Sequence, residues 1–209
     1  IETMGTRPTA PIVSIGACLF DPRCQNSFEY LSKYSFVCLV DLDDATKHSP
    51  SGIESGTVKW WLGQSDAAIK RLVTGEMLNL KDALTQLWQF ATDRGSKTPE
   101  AVRQLPVPKM IWAKSPDFDC KIIEHACRSA GVMYPFQYFN QRCVRTAVDL
   151  AFPDGEESRP SFTTGVHHDA RDDAVNQAMM IQACYSALGL SGAKSSGVVL
   201  HTDAPLTRL

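Results

Sequence analysis

The sequence has little net charge and no cysteine pair at metal-binding spacing, and each lack narrows what the chain can do. Lysine and arginine number 21 against 23 aspartates and glutamates, a formal charge of −2. That balance excludes the broad, sequence-blind grip on long duplexes that a strongly basic surface gives. A short single-stranded end held through metal ions stays compatible with it. The seven cysteines, at positions 18, 24, 38, 120, 127, 143 and 184, are odd in number and include no Cys-x-x-Cys pair. Neither a disulfide framework nor a zinc ribbon is indicated, and a reducing cytoplasm is the expected compartment. No stretch reads as a signal peptide, and no apolar run approaches the roughly 20 residues of a membrane span.

What is present suits one α/β domain. With 209 residues and 44% hydrophobic content, the chain can bury a single core. The expected division is a domain over residues 1–190 and a polar tail over 191–209, the tail docking on the domain surface or on a second subunit. A homodimer is therefore among the expectations. Pro11 to Asp21 is a β-rich run ended by Asp-Pro, and Phe36 to Asp43 reads as a further strand. The stretch Phe28 to Tyr34 is ambiguous, and Asp43 to Gly56 reads as a loop. Helical pattern starts at Thr57, restarts at Ser65 with a fresh cap, and recurs from Leu80 to Arg94 with Ala83, Leu84, Leu87, Trp88 and Ala91 on one face. Gly95 to Pro108 reads as a surface connection. Lys109 to Lys114 is a strand, Cys120 to Gly131 a helix, Arg142 to Phe152 another, and Pro153 to Thr164 a loop. The abrupt start at Ile1 is read as the middle of a strand, with upstream residues expected to complete it. Strands alternating with helices imply an α/β fold with a mixed sheet flanked by helices.

The chemistry gathers at Gly165-Val166-His167-His168-Asp169-Ala170-Arg171-Asp172-Asp173-Ala174. Beyond this polar start Ala174, Ala178, Ile181, Tyr185 and Leu188 recur at steps of four and three, marking one apolar face of a helix. Asp169 is the expected N-cap, with Asp172 completing a start that resembles a capping box. Two residues five apart within one helix point roughly 140 degrees apart. With His168 in the preceding loop and Asp173 in the first turn, the two can instead serve one site. Asp119 lies at a strand-to-helix junction, at the sheet edge where open α/β folds place ligands, and reads either as a ligand or as an N-cap. Glu2, Asp119 and Asp173 are three carboxylates that the alternation can bring to one edge. Clustered carboxylates repel unless cations neutralise them, and hard Mg2+ or Mn2+ prefers such oxygens. Two ions about 4 Å apart activate a water and stabilise the leaving oxygen in phosphodiester hydrolysis. A neutral histidine is suited to deprotonate that water, which makes His168 the candidate base and His167 a bystander.

In this ordered set the chain resembles the DEDDh group of 3'-5' exonucleases with an RNase H-like fold, and within it the phage exonuclease A (DexA-like) and mycobacterial-type exoribonuclease branch. Ile1-Glu2-Thr3-Met4-Gly5 is similar to the family's first motif, Phe118-Asp119 to its second, and His168 with Asp173 to its His-x4-Asp third. Val58-Lys59-Trp60-Trp61-Leu62-Gly63-Gln64 and Phe139-Asn140-Gln141-Arg142-Cys143-Val144-Arg145-Thr146 resemble stretches specific to the branch. The likeness covers roughly residues 1 to 190. It implies an RNase H-like mixed β-sheet flanked by helices, two Mg2+ or Mn2+ ions held by Glu2, Asp119 and Asp173, and an aspartate immediately before Ile1 as a shared ligand. It also implies that Thr3, Met4, Gly5, Trp61, Gln64, Arg142 and Arg145 meet the substrate. For Met4 and Gly5 a strand-ending turn is the alternative. At most one of Trp60 and Trp61 is free to stack on a base, and the two arginines, three apart on an expected helix, contact phosphate or form internal salt bridges. The expected function is release of nucleoside monophosphates from a nucleic acid 3' end, DNA favoured through the phage likeness, with RNA trimming or an inactive binding module as alternatives.

Overall fold

A computed structural model describes residues 1–93, 110–155 and 157–192. The expected connection from Gly95 to Pro108 and almost all of the 191–209 tail lie outside the described residues. The architecture is a mixed α/β fold compatible with the RNase H-like expectation. Strands β1 (Glu2–Thr3), β2 (Ile12–Cys18), β3 (Ser35–Val40) and β4 (Met77–Leu78) form one ladder in that order. β1 and β3 run antiparallel to β2, and β4 runs parallel to β3. A second ladder pairs β5 (Ile111–Ala113) in parallel with β6 (Gln141–Cys143).

Helices cover both faces of the sheet. On one side α5 (Leu80–Trp88) and α6 (Pro116–Ala130) pack Leu84, Leu87, Ile122 and Ile123 against Ile12, Ile15 and Val40. Each fully buried residue of that size contributes about 1.5–3 kcal/mol. On the other side lies α8 (Ala170–Ala187), whose Val175 and Ala178 meet Leu31 of α1 (Phe28–Ser32), while Ile181 and Cys184 meet Val144 and Val148 of α7 (Val144–Ala151). Gly16 of β2 sets how closely α8 approaches. A Cβ there would stand 2.1 Å from the Ala170 carbonyl carbon and 2.5 Å from the Arg171 amide nitrogen. Only the missing side chain lets the helix start rest on the strand.

Several boundaries differ from the sequence reading, each for a local reason. The ambiguous stretch after Ser27 is α1, because the Ser27 hydroxyl caps it by accepting from the Tyr30 amide. The expected loop from Asp43 holds α2 (Leu42–Lys47), capped by Asp41 and acidic in its first turn. Helices α3 (Ser55–Leu62) and α4 (Asp66–Val73) follow as expected, with Ser65 as the second cap. α5 gives way after Trp88 to a π turn over Gln89–Asp93. α6 starts at Pro116, ahead of the expected Cys120, since proline suits a helix's first position. Arg142 lies on a strand, not on the expected helix, because Gln141, Arg142 and Cys143 pair with Ile111, Trp112 and Ala113. The buried face of α8 is also rotated. It carries Asp172 and Gln182 among Val175, Ala178, Ile181 and Cys184, while Leu188 is 45% exposed. Gln182 is satisfied inside, donating to the Asp21 carbonyl and the Asn26 side chain and accepting from the Asn26 amide. Among the described residues, no helix is long and apolar enough to cross a membrane.

Candidate active site

Three elements deliver the candidate side chains to one place. β1 presents Glu2, the start of α8 presents Asp173, and the turn just before it presents His168. Their ligand atoms all lie within 4.8 Å of one another. His168 Nδ1 is 3.9 Å from Asp173 Oδ2. Asp119, in the first turn of α6 and not before it, lines the same cavity of about 620 Å³. The Ser115 carbonyl, not an Asp119 side chain, opens α6, accepting from the Asp119 amide.

The electrostatics record a demand for positive charge. Burial, with Asp173 and Asp119 adding to it, pushes the Glu2 carboxyl up to about 8. Burial also raises Asp173, against the pull of His167 and His168. Carboxylates in this state take up a proton or a cation. Hard oxygen donors beside one imidazole fit a divalent cation of the Mg2+ or Mn2+ kind. His168 is shifted the opposite way, lowered by burial and by His167 despite Asp173. It is therefore neutral near neutral pH.

The turn carrying His168 is strained and held. His168 has φ +65°, the left-handed region that residues with a side chain rarely adopt. Asp169 caps α8 as expected, its carboxylate accepting from the amides of Arg171 and Asp172, and Arg71 of α4 approaches its other oxygen at 3.4 Å. Asp172 does not complete a capping box, because its carboxylate reaches past Asp169 to the Val166 amide at 2.9 Å. The His168 ring sits edge-on to Trp60 at 4.7 Å and to Trp61 at 6.0 Å, with His167 at 3.8 Å.

The residues expected to touch substrate divide. Trp61 is 5% exposed, and its indole nitrogen donates to the Thr3 carbonyl at 3.0 Å. It braces β1 from inside, and Trp60, 45% exposed, is the ring that faces solvent beside His168. Consecutive helical residues point about 100 degrees apart, so only one of the pair can face β1. The Gln64 side-chain nitrogen donates to the Trp60 carbonyl at the end of α3. Thr3 is buried and its hydroxyl donates to the Gly5 carbonyl, while Gly5 lies against Glu54, where a Cβ would come within 2.9 Å of the carboxylate. Met4 and Gly5 thus form a turn stapled to α3, with Met4 partly exposed. Arg142 donates to the carbonyls of Phe139 and Gln141, tying down the turn before β6, whereas Arg145 lines the cavity. Lys114 and His167 line it too. Lys114 follows β5 at the strand end where ligands gather, a positional signal the sequence already contained.

No curated protein and no solved structure matches the chain. The family described as 3'-5' exoribonuclease Rv2179c-like domain matches residues 1–185, the span that contains every side chain of the cluster and its cavity. The chain belongs to this 3'-5' exonuclease family.

Proposed function

We propose that the protein trims RNA from its 3' end, releasing nucleoside 5'-monophosphates, with His168 as general base. The convergence of Glu2, His168 and Asp173 within 4.8 Å, with Asp119 on the same cavity, carries the reading. RNA is preferred because the family's description names an exoribonuclease. The DNA preference rests only on the likeness to the phage branch. Glu2, Asp119 and Asp173 would hold two Mg2+ or Mn2+ ions, with the aspartate implied before Ile1 as a shared ligand. Such ions supply charge neutralisation at the scissile phosphate and make water easier to deprotonate.

The chain's own residues do the rest. His168, neutral near pH 7, accepts the proton of the attacking water, and its left-handed backbone keeps the ring between Trp60 and Asp173. Lys114 and Arg145 place positive charge on the cavity wall, where the departing phosphate carries negative charge. Trp60 offers an exposed indole face for the terminal base, a sequence-tolerant contact worth about 1–3 kcal/mol. Trp61 keeps Glu2 in place through Thr3.

Labelled single strands of RNA and of DNA with one sequence, given Mg2+ or Mn2+, test the proposal. A one-nucleotide ladder on RNA, lost in His168→Ala and with EDTA, is the expected result. A ladder on DNA alone moves the substrate to DNA, and no ladder on either leaves the binding module standing.

A further inference from the structure

We propose that Asp172 is a positioning residue for His168, a role that rests on the exonuclease reading above: its buried carboxylate pins the segment 164–168 to α8 and thereby fixes the imidazole beside Glu2 and Asp173. Asp172 is 2% exposed. Both of its oxygens are committed, Oδ2 accepting from the Val166 amide at 2.9 Å and Oδ1 from Arg171 Nε at 3.0 Å and Nη2 at 2.8 Å. Arg171 supplies the opposite charge that a buried carboxylate needs, so the second oxygen is free to hold backbone. Gly165, at φ +88°, passes so close that a Cβ would stand 2.4 Å from Asp172 Oδ2. One turn along the helix, Asn176 Nδ2 donates to the Thr164 carbonyl at 2.9 Å, and the Asp169 amide donates to the Val166 carbonyl at 3.0 Å.

The position of this strap explains its use. Two residues after Val166 the backbone turns left-handed at His168, a costly state that persists only where the surroundings over-determine it. Capping does not need Asp172, since Asp169 already accepts from two amides of the first turn. Without the Val166 bond, His168 can relax to negative φ and carry its ring away from Asp173. Asp172 touches no reacting atom and acts through the residue it holds.

The test uses the full-length protein and Asp172→Asn, which keeps the shape but cannot serve Val166 and Arg171 alike. The expected kcat on labelled RNA falls about 10- to 100-fold with KM within about twofold, since a misplaced group costs turnover more than binding. In a His168→Ala background the same change costs less than about threefold, because its effect passes through the imidazole. The Val166 amide, protected from hydrogen exchange in the wild type, exchanges at loop rates in the variant. If Asp172→Asn does not fold, Gly165→Ala displaces the same strap and shows the same pattern. Turnover by the variant within about threefold of wild type, equal losses with and without His168, or a freely exchanging Val166 amide in the wild type each overturn the proposal. A wild type that cleaves neither RNA nor DNA overturns the exonuclease reading and the positioning role with it, whereas a cleaving wild type matched by its variant overturns the positioning alone.

Discussion

Helices α6 and α8 begin alike and are finished differently. Each carries an aspartate four residues beyond its N-cap, Asp119 after Ser115 and Asp173 after Asp169, and each aspartate's amide donates to the N-cap carbonyl, at 3.0 and 2.9 Å. At α6 the Ser115 side chain makes no capping bond and Pro116 opens the helix. At α8 the Asp169 side chain caps two amides, Asp172 reaches back to Val166, and the residue before the cap is left-handed. Both starts deliver a carboxylate to the cavity, but only α8 must also deliver an imidazole from outside the helix. A helix start at a sheet edge suffices for the first task, and the second requires a fixed turn.

The largest test of that comparison treats the two carboxylates as equals. Asp119→Asn and Asp173→Asn should each lower kcat about a thousandfold, the several kcal/mol that stabilised charge at the phosphate is worth. An Asp119→Asn enzyme within about tenfold of wild type would break the symmetry and make α6 an accessory. Next comes Gly16→Ala, which drives a methyl into the Ala170 carbonyl. It should cost about 1–3 kcal/mol in denaturant unfolding and remove activity, because it lifts α8 and not α6 from the sheet. Smaller still, Asp169→Ala should cost about 1 kcal/mol while Ser115→Ala, which loses no side-chain cap bond, stays within about 0.5 kcal/mol of wild type. Equal costs would erase the difference between the two starts. Last, His168→Gly should abolish cleavage yet hold or gain up to about 1 kcal/mol of stability, by relieving the left-handed backbone.

The start of α8 was legible because its signals are local. Asp169 is the N-cap it reads as, and His168 lies outside the helix with Asp173 one turn in, so the pair can meet. The placement of Glu2 beside them followed from a strand order that periodicity alone does not supply and the family likeness does. Asp172 reads as the second half of a capping box, since nothing in so polar a run marks which carboxylate turns inward. The rotated face of α8 was hidden for the same reason: Gln182 is buried by partners at positions 21 to 26, distant in sequence. Trp61, expected to meet the substrate, is instead the buried ring of the pair, because the Thr3 carbonyl lies under it, a contact the sequence does not reveal. Arg142 was misplaced because a three-residue parallel strand has no period to read, and its partner lies thirty positions earlier.

If Glu2 holds a metal as proposed, its carboxyl makes proton and metal rivals for one seat. In metal-free protein it keeps its proton up to about pH 8, where the unfolded chain gives its own up near 4.5. The folded state therefore holds the extra proton throughout that window, and its stability falls as pH rises across it. A divalent ion held there, as proposed, would have to expel that proton, so its affinity would climb over the same interval, by at most about tenfold per pH unit. Thermal melts with and without Mg2+ should then draw apart from pH 5 to pH 8, and in Glu2→Gln they should stay parallel. On the proposed metal set, acidity hands the fold a substitute cation, and alkalinity leaves the seat to the divalent ion.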